Sequence, residues 1–305
     1  MKRARLPHLP LLLLCLAAPS FGLELGSSVE VSNMNFQADR AAADTSFLPH
    51  YFPIGYKVFG EQQIDESLRL SFGLASDRIL RNLVYSEFAY SGSFYSVSVG
   101  PFLGVMNTAQ TPVKAGIIAS VRLEMPGIIF AFVKSNRSIN LFGFLSSSGV
   151  AGRLDTVGDF QQESSELGFG FYQPNAILTF FIASKTYSEK KTGSIDSDQQ
   201  TDYGFSAEIF QKNVPFKALL SFFYRNLARN YELPAASVKH SLGSLILGIR
   251  GELALSEAWS ALAGLESSIY TFGLDKLIGE FSSSTYLFTS FLGFKARLDG
   301  FFQSE

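Results

Sequence analysis

Residues 112–125 read Pro-Val-Lys-Ala-Gly-Ile-Ile-Ala-Ser-Val-Arg-Leu-Glu-Met. Val113, Ala115, Ile117, Ala119, Val121, Leu123 and Met125 fall on one side of a two-residue repeat, and Lys114, Gly116, Ile118, Ser120, Arg122 and Glu124 on the other. A period of two sustained over this length specifies a β-strand with one apolar and one polar face. As a helix the same segment would scatter its apolar groups around the whole cylinder. Residues 285–298 repeat the pattern: Tyr286, Phe288, Leu292, Phe294, Ala296 and Leu298 oppose Thr285, Thr289, Gly293, Lys295 and Arg297. In 67–75, Leu68, Leu70, Phe72 and Leu74 alternate with Arg69, Ser71, Gly73 and Ala75.

Weaker versions occupy 23–35, 82–91, 94–106, 128–135, 139–147, 163–172, 176–187, 201–211, 216–227, 241–254 and 259–272. The reading therefore predicts about 14 strands, with 12 as the alternative, because an error of two leaves the sidedness of the connections unchanged. Segments 128–135 and 139–147 are apolar on both faces, so alternation does not orient them. Most of the segments have the length a tilted strand needs to cross a bilayer, about 9–11 residues, whereas ordinary globular strands average nearer 5–6. Connections at about 37–66, 148–162, 188–200, 228–240 and 273–284 are long and fall on one side of the array. Asn136-Arg137-Ser138, Gln173-Pro174-Asn175, 211–215 and 255–258 are short and fall on the other. Short turns on the inner side and long loops on the outer are the habit of membrane barrels. Two short connections, 91–93 and 126–127, break the trend.

The chain has 305 residues, 47% hydrophobic and 17% charged. That hydrophobicity excludes a disordered chain, and its lack of long apolar runs after the N-terminus excludes a bundle of membrane helices. The formal net charge of -2 argues against a nucleic-acid partner. A single cysteine, Cys15, excludes a disulfide scaffold. Residues 1–22 have the layout of a secretory signal peptide: Lys2, Arg3 and Arg5, an apolar stretch around Leu11-Leu12-Leu13-Leu14, then Ser20-Phe21-Gly22 as a small-x-small cleavage site. Residues 23–305 form the expected barrel. A soluble sandwich would also alternate, but its connections are short at both ends. In lipid, only a closed barrel satisfies every backbone hydrogen bond of a sheet.

On these residues the chain resembles the porin-like single-chain outer-membrane β-barrel proteins of diderm bacteria. The resemblance spans nearly all of residues 23–302 and rests on pattern rather than on a diagnostic motif. Phe288, Gly293, Phe294, Ala296 and Leu298 look like the family's C-terminal insertion strand, although the chain continues through Phe301-Phe302 to Gln303-Ser304-Glu305. The resemblance implies an all-β, antiparallel, up-and-down transmembrane barrel in the outer membrane. It also implies contact with outer-membrane lipid and with the barrel-assembly machinery through the last strand.

The polar faces name the expected pore lining: Arg69, Lys114, Arg122, Glu124, Glu208, Arg250, Glu252, Lys295 and Arg297. Arg225, Lys217, Glu166 and Glu266 share those faces. Mixed signs predict weak ion selectivity, or cross-strand pairing that stiffens a closed barrel. Trp259 lies near an expected inner turn, as an interfacial aromatic would. Phe47, Tyr51, Phe52 and Tyr56 are expected in the first loop. No nucleophile, base and orienting group converge, so no enzyme, cofactor or metal is expected; His50 falls in a loop, and His240 and Ser241 point to opposite faces of a strand. Asn136-Arg137-Ser138 matches a glycosylation sequon but sits in an expected turn. Two function classes remain: a passive channel for small polar solutes, or a plugged barrel whose outer loops bind a host or partner molecule. Uptake of hydrophobic solutes is not expected, since the first strand starts too early to leave room for an N-terminal plug.

Overall fold

The structure, a computed structural model, describes residues 21–32, 54–77, 81–105, 113–138, 159–191, 194–211, 214–233, 236–272 and 288–298. Their regular elements are fourteen strands: β1 (Phe21–Ser32), β2 (Ile54–Gln63), β3 (Leu68–Asp77), β4 (Arg81–Ser91), β5 (Tyr95–Val105), β6 (Val113–Met125), β7 (Ile129–Ser138), β8 (Asp159–Gln173), β9 (Ala176–Lys191), β10 (Ser194–Phe210), β11 (Phe216–Leu233), β12 (Ala236–Ala254), β13 (Trp259–Phe272) and β14 (Phe288–Arg297). Each pairs antiparallel with its neighbours in sequence. β1 pairs with both β2 and β14, with Leu25 opposite Gly60 on one side and Ala296 on the other, so the sheet closes. Closure leaves no unpaired edge for lipid to meet.

The expected number of strands is right, but the fourteen strands of the barrel are not all the expected ones. Residues 54–63 form β2, a strand the alternation leaves in the first loop. Its sequence, Ile-Gly-Tyr-Lys-Val-Phe-Gly-Glu-Gln-Gln, hides the alternation because Phe59 lies on the lumen face and Gly60 on the outer face. The expected strand at 139–147 lies outside the described residues, and β7 pairs directly with β8 through Ile129–Phe171 and Lys134–Glu166. Asn136-Arg137-Ser138 is consequently the end of β7, not a turn. With these two corrections both exceptions vanish. The connections at 64–67, 92–94, 126–128, 174–175, 211–215 and 255–258 all fall at one end of the barrel, and all are short.

Local chemistry makes those turns. Asp65 accepts the backbone N–H groups of Ser67 and Leu68 at 2.7 Å through Oδ1, and Ser256 Oγ accepts those of Ala258 and Trp259 at 3.2 and 3.1 Å. Such side-chain caps mimic a backbone turn. Gly127 supplies the positive φ, 73°, that the 126–128 turn requires. At the other end, the expected loops 188–200 and 228–240 are largely strand. β10, β11 and β12 reach 17, 18 and 19 residues, well beyond what the bilayer needs, and carry two hairpins past it.

Register assigns every strand a lumen face and an outer face. The outer face holds the large exposed apolar side chains, among them Val58, Val99, Leu123, Leu167, Ile182, Leu247, Ile269 and Leu292. A row of phenylalanines crosses adjacent strands there in register: Phe169 with Phe180, Phe180 with Phe205, and Phe205 with Phe222. Trp259 is 50% exposed and packs against Phe294 at the short-turn end, where an interfacial aromatic belongs. Ile128, on the turn after β6, is exposed too, while Phe130 and Phe132 point inward; this orients the segment that was apolar on both faces. Leu292, 70% exposed on β14, tests the lipid face. Leu292→Arg is expected to cost about 2–4 kcal/mol of folding stability in bilayers if it sits near the midplane. Urea titration of the refolded protein in vesicles measures this. A cost no larger than that of Ser28→Arg, on the lumen face beside it, would argue against lipid on this surface.

Candidate pore lining

Eight of the nine expected lining residues face the lumen: Arg69, Arg122, Glu124, Glu208, Arg250, Glu252, Lys295 and Arg297. The ninth, Lys114, occupies a lumen-facing register position opposite Gly104, and its side chain lies outside the described residues. Near the short-turn end these charges pair. Arg69 meets Glu61 at 3.2 Å with both side chains nearly half exposed. Lys295 meets Glu24 and Glu252, each at 3.1 Å. Arg122 meets Glu124 at 3.1 Å, and its guanidinium also donates to the Tyr172 hydroxyl at 2.6 Å. That hydroxyl in turn donates to Glu124 at 2.6 Å, and the guanidinium lies 3.8 Å from the Phe130 ring centroid. Arg297 is the register partner of Glu24, and Lys217 of Glu252. Glu208 stands between Leu219 and Ile177.

A second group lies toward the long-loop end and is buried. Arg225 holds Asp202 with two parallel hydrogen bonds of 2.9 Å and reaches Glu266 at 3.3 Å. Glu266 also accepts from Arg250 at 2.6 Å, and Gln200 donates to Asp202 at 2.9 Å. Five side chains from β10, β11, β12 and β13 thus form one network. A bidentate guanidinium–carboxylate pair is the strongest arrangement available to these groups. Alternation placed Arg225 and Glu266 on polar faces. It could not show that they meet, because Asp202 lies in a mixed stretch, Gln199-Gln200-Thr201-Asp202, without a clear apolar repeat. Glu61 and Lys57 were missed with β2. Among the described residues no group of three or more His, Cys, Asp or Glu is placed to hold a metal ion.

The lumen face also carries aromatics, and their seating decides how much space remains. A Cβ built on Gly26 would fall 2.3 Å from the Phe59 ring, on Gly116 2.1 Å from Phe102, and on Gly168 2.6 Å from Phe132. On Gly170 it would fall 2.3 Å from Phe130, and on Gly264 2.1 Å from Phe291. In each case the register places glycine and ring side by side on adjacent strands. The ring lies across the glycine backbone, against the wall. This is the aromatic covering of sheet glycines that strengthens a strand lacking side chains. The Gly168-Phe169-Gly170 run is explained the same way: the glycines seat Phe132 and Phe130 of β7, and Phe169 faces out.

Solved structures match this fold. A monoaromatic hydrocarbon channel, CymD, gives a TM-score of 0.50 at 9% identity, covering 93% of this chain and 90% of its own. A Pseudomonas aeruginosa FadL homologue gives 0.46 at 8%, covering 92% and 90%. A porin gives 0.38 at 8%, covering 90% and 99%. No family model and no curated protein matches the sequence. At such identities the likeness is one of fold, and the closed antiparallel barrel of fourteen strands carries it independently. The chain has the fold of the single-chain outer-membrane β-barrel proteins.

Proposed function

We propose that the protein is an outer-membrane channel through which small polar solutes diffuse passively. The observation that supports this most directly is the solvation of charged groups inside a closed wall. Arg250 is 50% exposed although it points into the lumen, and Arg69, 46% exposed, stands at the short-turn mouth. A lumen filled by side chains, as in barrels of about 8 strands, would bury them; 16–18 strands leave an aqueous channel. Export by residues 1–22 and insertion through the last strand by the assembly machinery belong to the same reading. It includes no catalytic role.

A second reading has an observation of its own. Toward the long-loop end, lumen-facing Gln162, Tyr187, Asp198, Leu227, Leu242 and Ser244 are all buried. A barrel closed at that level would act through its outer loops, by binding a host or partner molecule.

Single-channel recording of the refolded mature chain in a planar bilayer separates the two. The channel reading expects stable conductance steps that vanish when the barrel is heat-unfolded. Reversing the signs of Arg122 and Arg297 should then alter ion flow. A protein shown by circular dichroism to be folded and inserted, yet electrically silent, would favour the closed, loop-binding barrel.

A further inference from the structure

β1 begins two residues earlier than cleavage after Gly22 would leave it, and those two residues are built into the wall. Phe21 is the register partner of Gln63 on β2, and Leu23 that of Gln62. Partners adjacent on β2 are thus separated by one residue on β1, which makes Gly22 the extra residue of a β-bulge. Its φ of 67° lies in the left-handed region. One class of bulge is built on a glycine in that conformation, and bulges favour the rims of barrels. This one stands at the short-turn rim, where the Leu23 carbonyl accepts from the Leu298 N–H at 2.8 Å and Gln63 leads into the 64–67 turn. The positive φ has a structural use only when Phe21 is present to be returned to register with Gln63. A chain that began at Leu23 would hold its α-ammonium on a residue 4% exposed, and a charge taken out of water is costly. A chain that begins at Phe21 carries that charge beyond the bulge to the level of Gln63, where the turn presents the exposed acidic residues Asp65 and Glu66. Ala18-Pro19-Ser20 meets the small-x-small rule as Ser20-Phe21-Gly22 does.

We propose that the chain is processed between Ser20 and Phe21, so that the exported barrel begins at Phe21. This rests on export by the N-terminal segment, and it holds for an open or a closed lumen alike. The reaction is a hydrolysis. Water adds across the Ser20–Phe21 amide, Ser20 ends the released peptide as a carboxylate, and Phe21 keeps the nitrogen as an ammonium. The membrane-bound signal peptidase of the secretory route carries it out, reading small side chains at the first and third residues before the cut. Ser20 and Ala18 are those residues. Gly22 lies beyond the cut, and its smallness answers to the bulge rather than to the peptidase.

N-terminal sequencing of the full chain, expressed in a diderm host and purified from the outer membrane, tests the site. The expected start is Phe-Gly-Leu-Glu. A start at Leu-Glu-Leu-Gly would overturn the site and leave export standing. A chain in the outer membrane that still carries residues 1–20 would overturn both. Two variants read the processing alone, by the ratio of precursor to mature band after pulse labelling. Ala18→Phe puts a bulky group at the third residue before the proposed cut but the fifth before the alternative, so most of the chain should remain precursor. Gly22→Val puts one beyond the proposed cut but immediately before the alternative, so processing should be as complete as in the native chain. The reverse pattern, with Ala18→Phe processed and Gly22→Val retained as precursor, would overturn the proposal. Gly22→Val should also lower the temperature at which the folded band is lost on gels, because valine is strained at a φ of 67°. Failure of that variant to fold leaves the processing ratio readable.

Discussion

Arg225→Met is expected to cost about 3–5 kcal/mol of stability, the usual effect of removing one partner from a buried ion pair. The side chains of Arg225, Asp202 and Glu266 are 9%, 11% and 13% exposed, so water cannot replace the lost guanidinium. Among the described residues Asp202 would keep Gln200 alone as a side-chain donor, while Glu266 would still hold Arg250. The damage therefore falls mainly on Asp202. Adding Asp202→Asn should restore part of the loss, because a neutral amide tolerates burial that a carboxylate does not. Arg69→Met provides the contrast. Its pair with Glu61 is nearly half exposed on both sides, and such pairs are worth about 0–1 kcal/mol. Denaturant midpoints of the three variants, followed by circular dichroism or by the gel shift between folded and heated barrel, give the comparison. Equal losses at Arg225 and Arg69 would mean that the network near the long-loop end is as wet as the short-turn end.

Much of the fold was legible because a membrane barrel writes its architecture as a period of two. β6 reads without error: every expected outward residue from Ile117 to Met125 faces out, and Arg122 and Glu124 face in. β2 was illegible for a physical reason. Its lumen face carries Phe59 between Lys57 and Glu61, and its outer face carries Gly60 and Gln62, so the hydrophobic contrast reverses midway. Phe59 can face the lumen because Gly26 on β1 seats its ring. That compensation lies 33 positions away and no local pattern shows it. The same holds for the lining. Alternation tells which side a charge takes, and Arg250 and Lys295 stand on the lumen side it gives them. Which charges meet depends on register, and a residue of slip in any hairpin would reverse the faces beyond it. The Arg225 network is a product of register and closure, beyond the reach of a strand read alone.

Gly116→Ala is expected to destabilise the barrel and to narrow it, two effects with one cause. The new Cβ would stand 2.1 Å from Cε1 and Cζ of Phe102 and 2.8 Å from the Arg137 carbonyl oxygen. The carbonyl belongs to a strand ladder and cannot retreat, so the ring must. Phe102 is only 1% exposed, so the ring is packed on every side that the wall offers. Overpacking of this kind costs about 1–3 kcal/mol. The ring would be pushed away from the wall, toward the lumen; on the channel reading this obstructs ion flow. Phe102→Leu in the same chain shortens the side chain and should relieve both effects. The double-mutant cycle should then show a coupling of about 0.5–3 kcal/mol between two residues on adjacent strands. Conductance should fall in Gly116→Ala and recover in the double variant. Additive stabilities with unchanged conductance would show that ring and glycine do not share space, and the seating of rings on glycines could then no longer support the channel reading. Recovery of stability without recovery of conductance would separate the two effects: the ring packs as described, but it does not set the width that limits conductance.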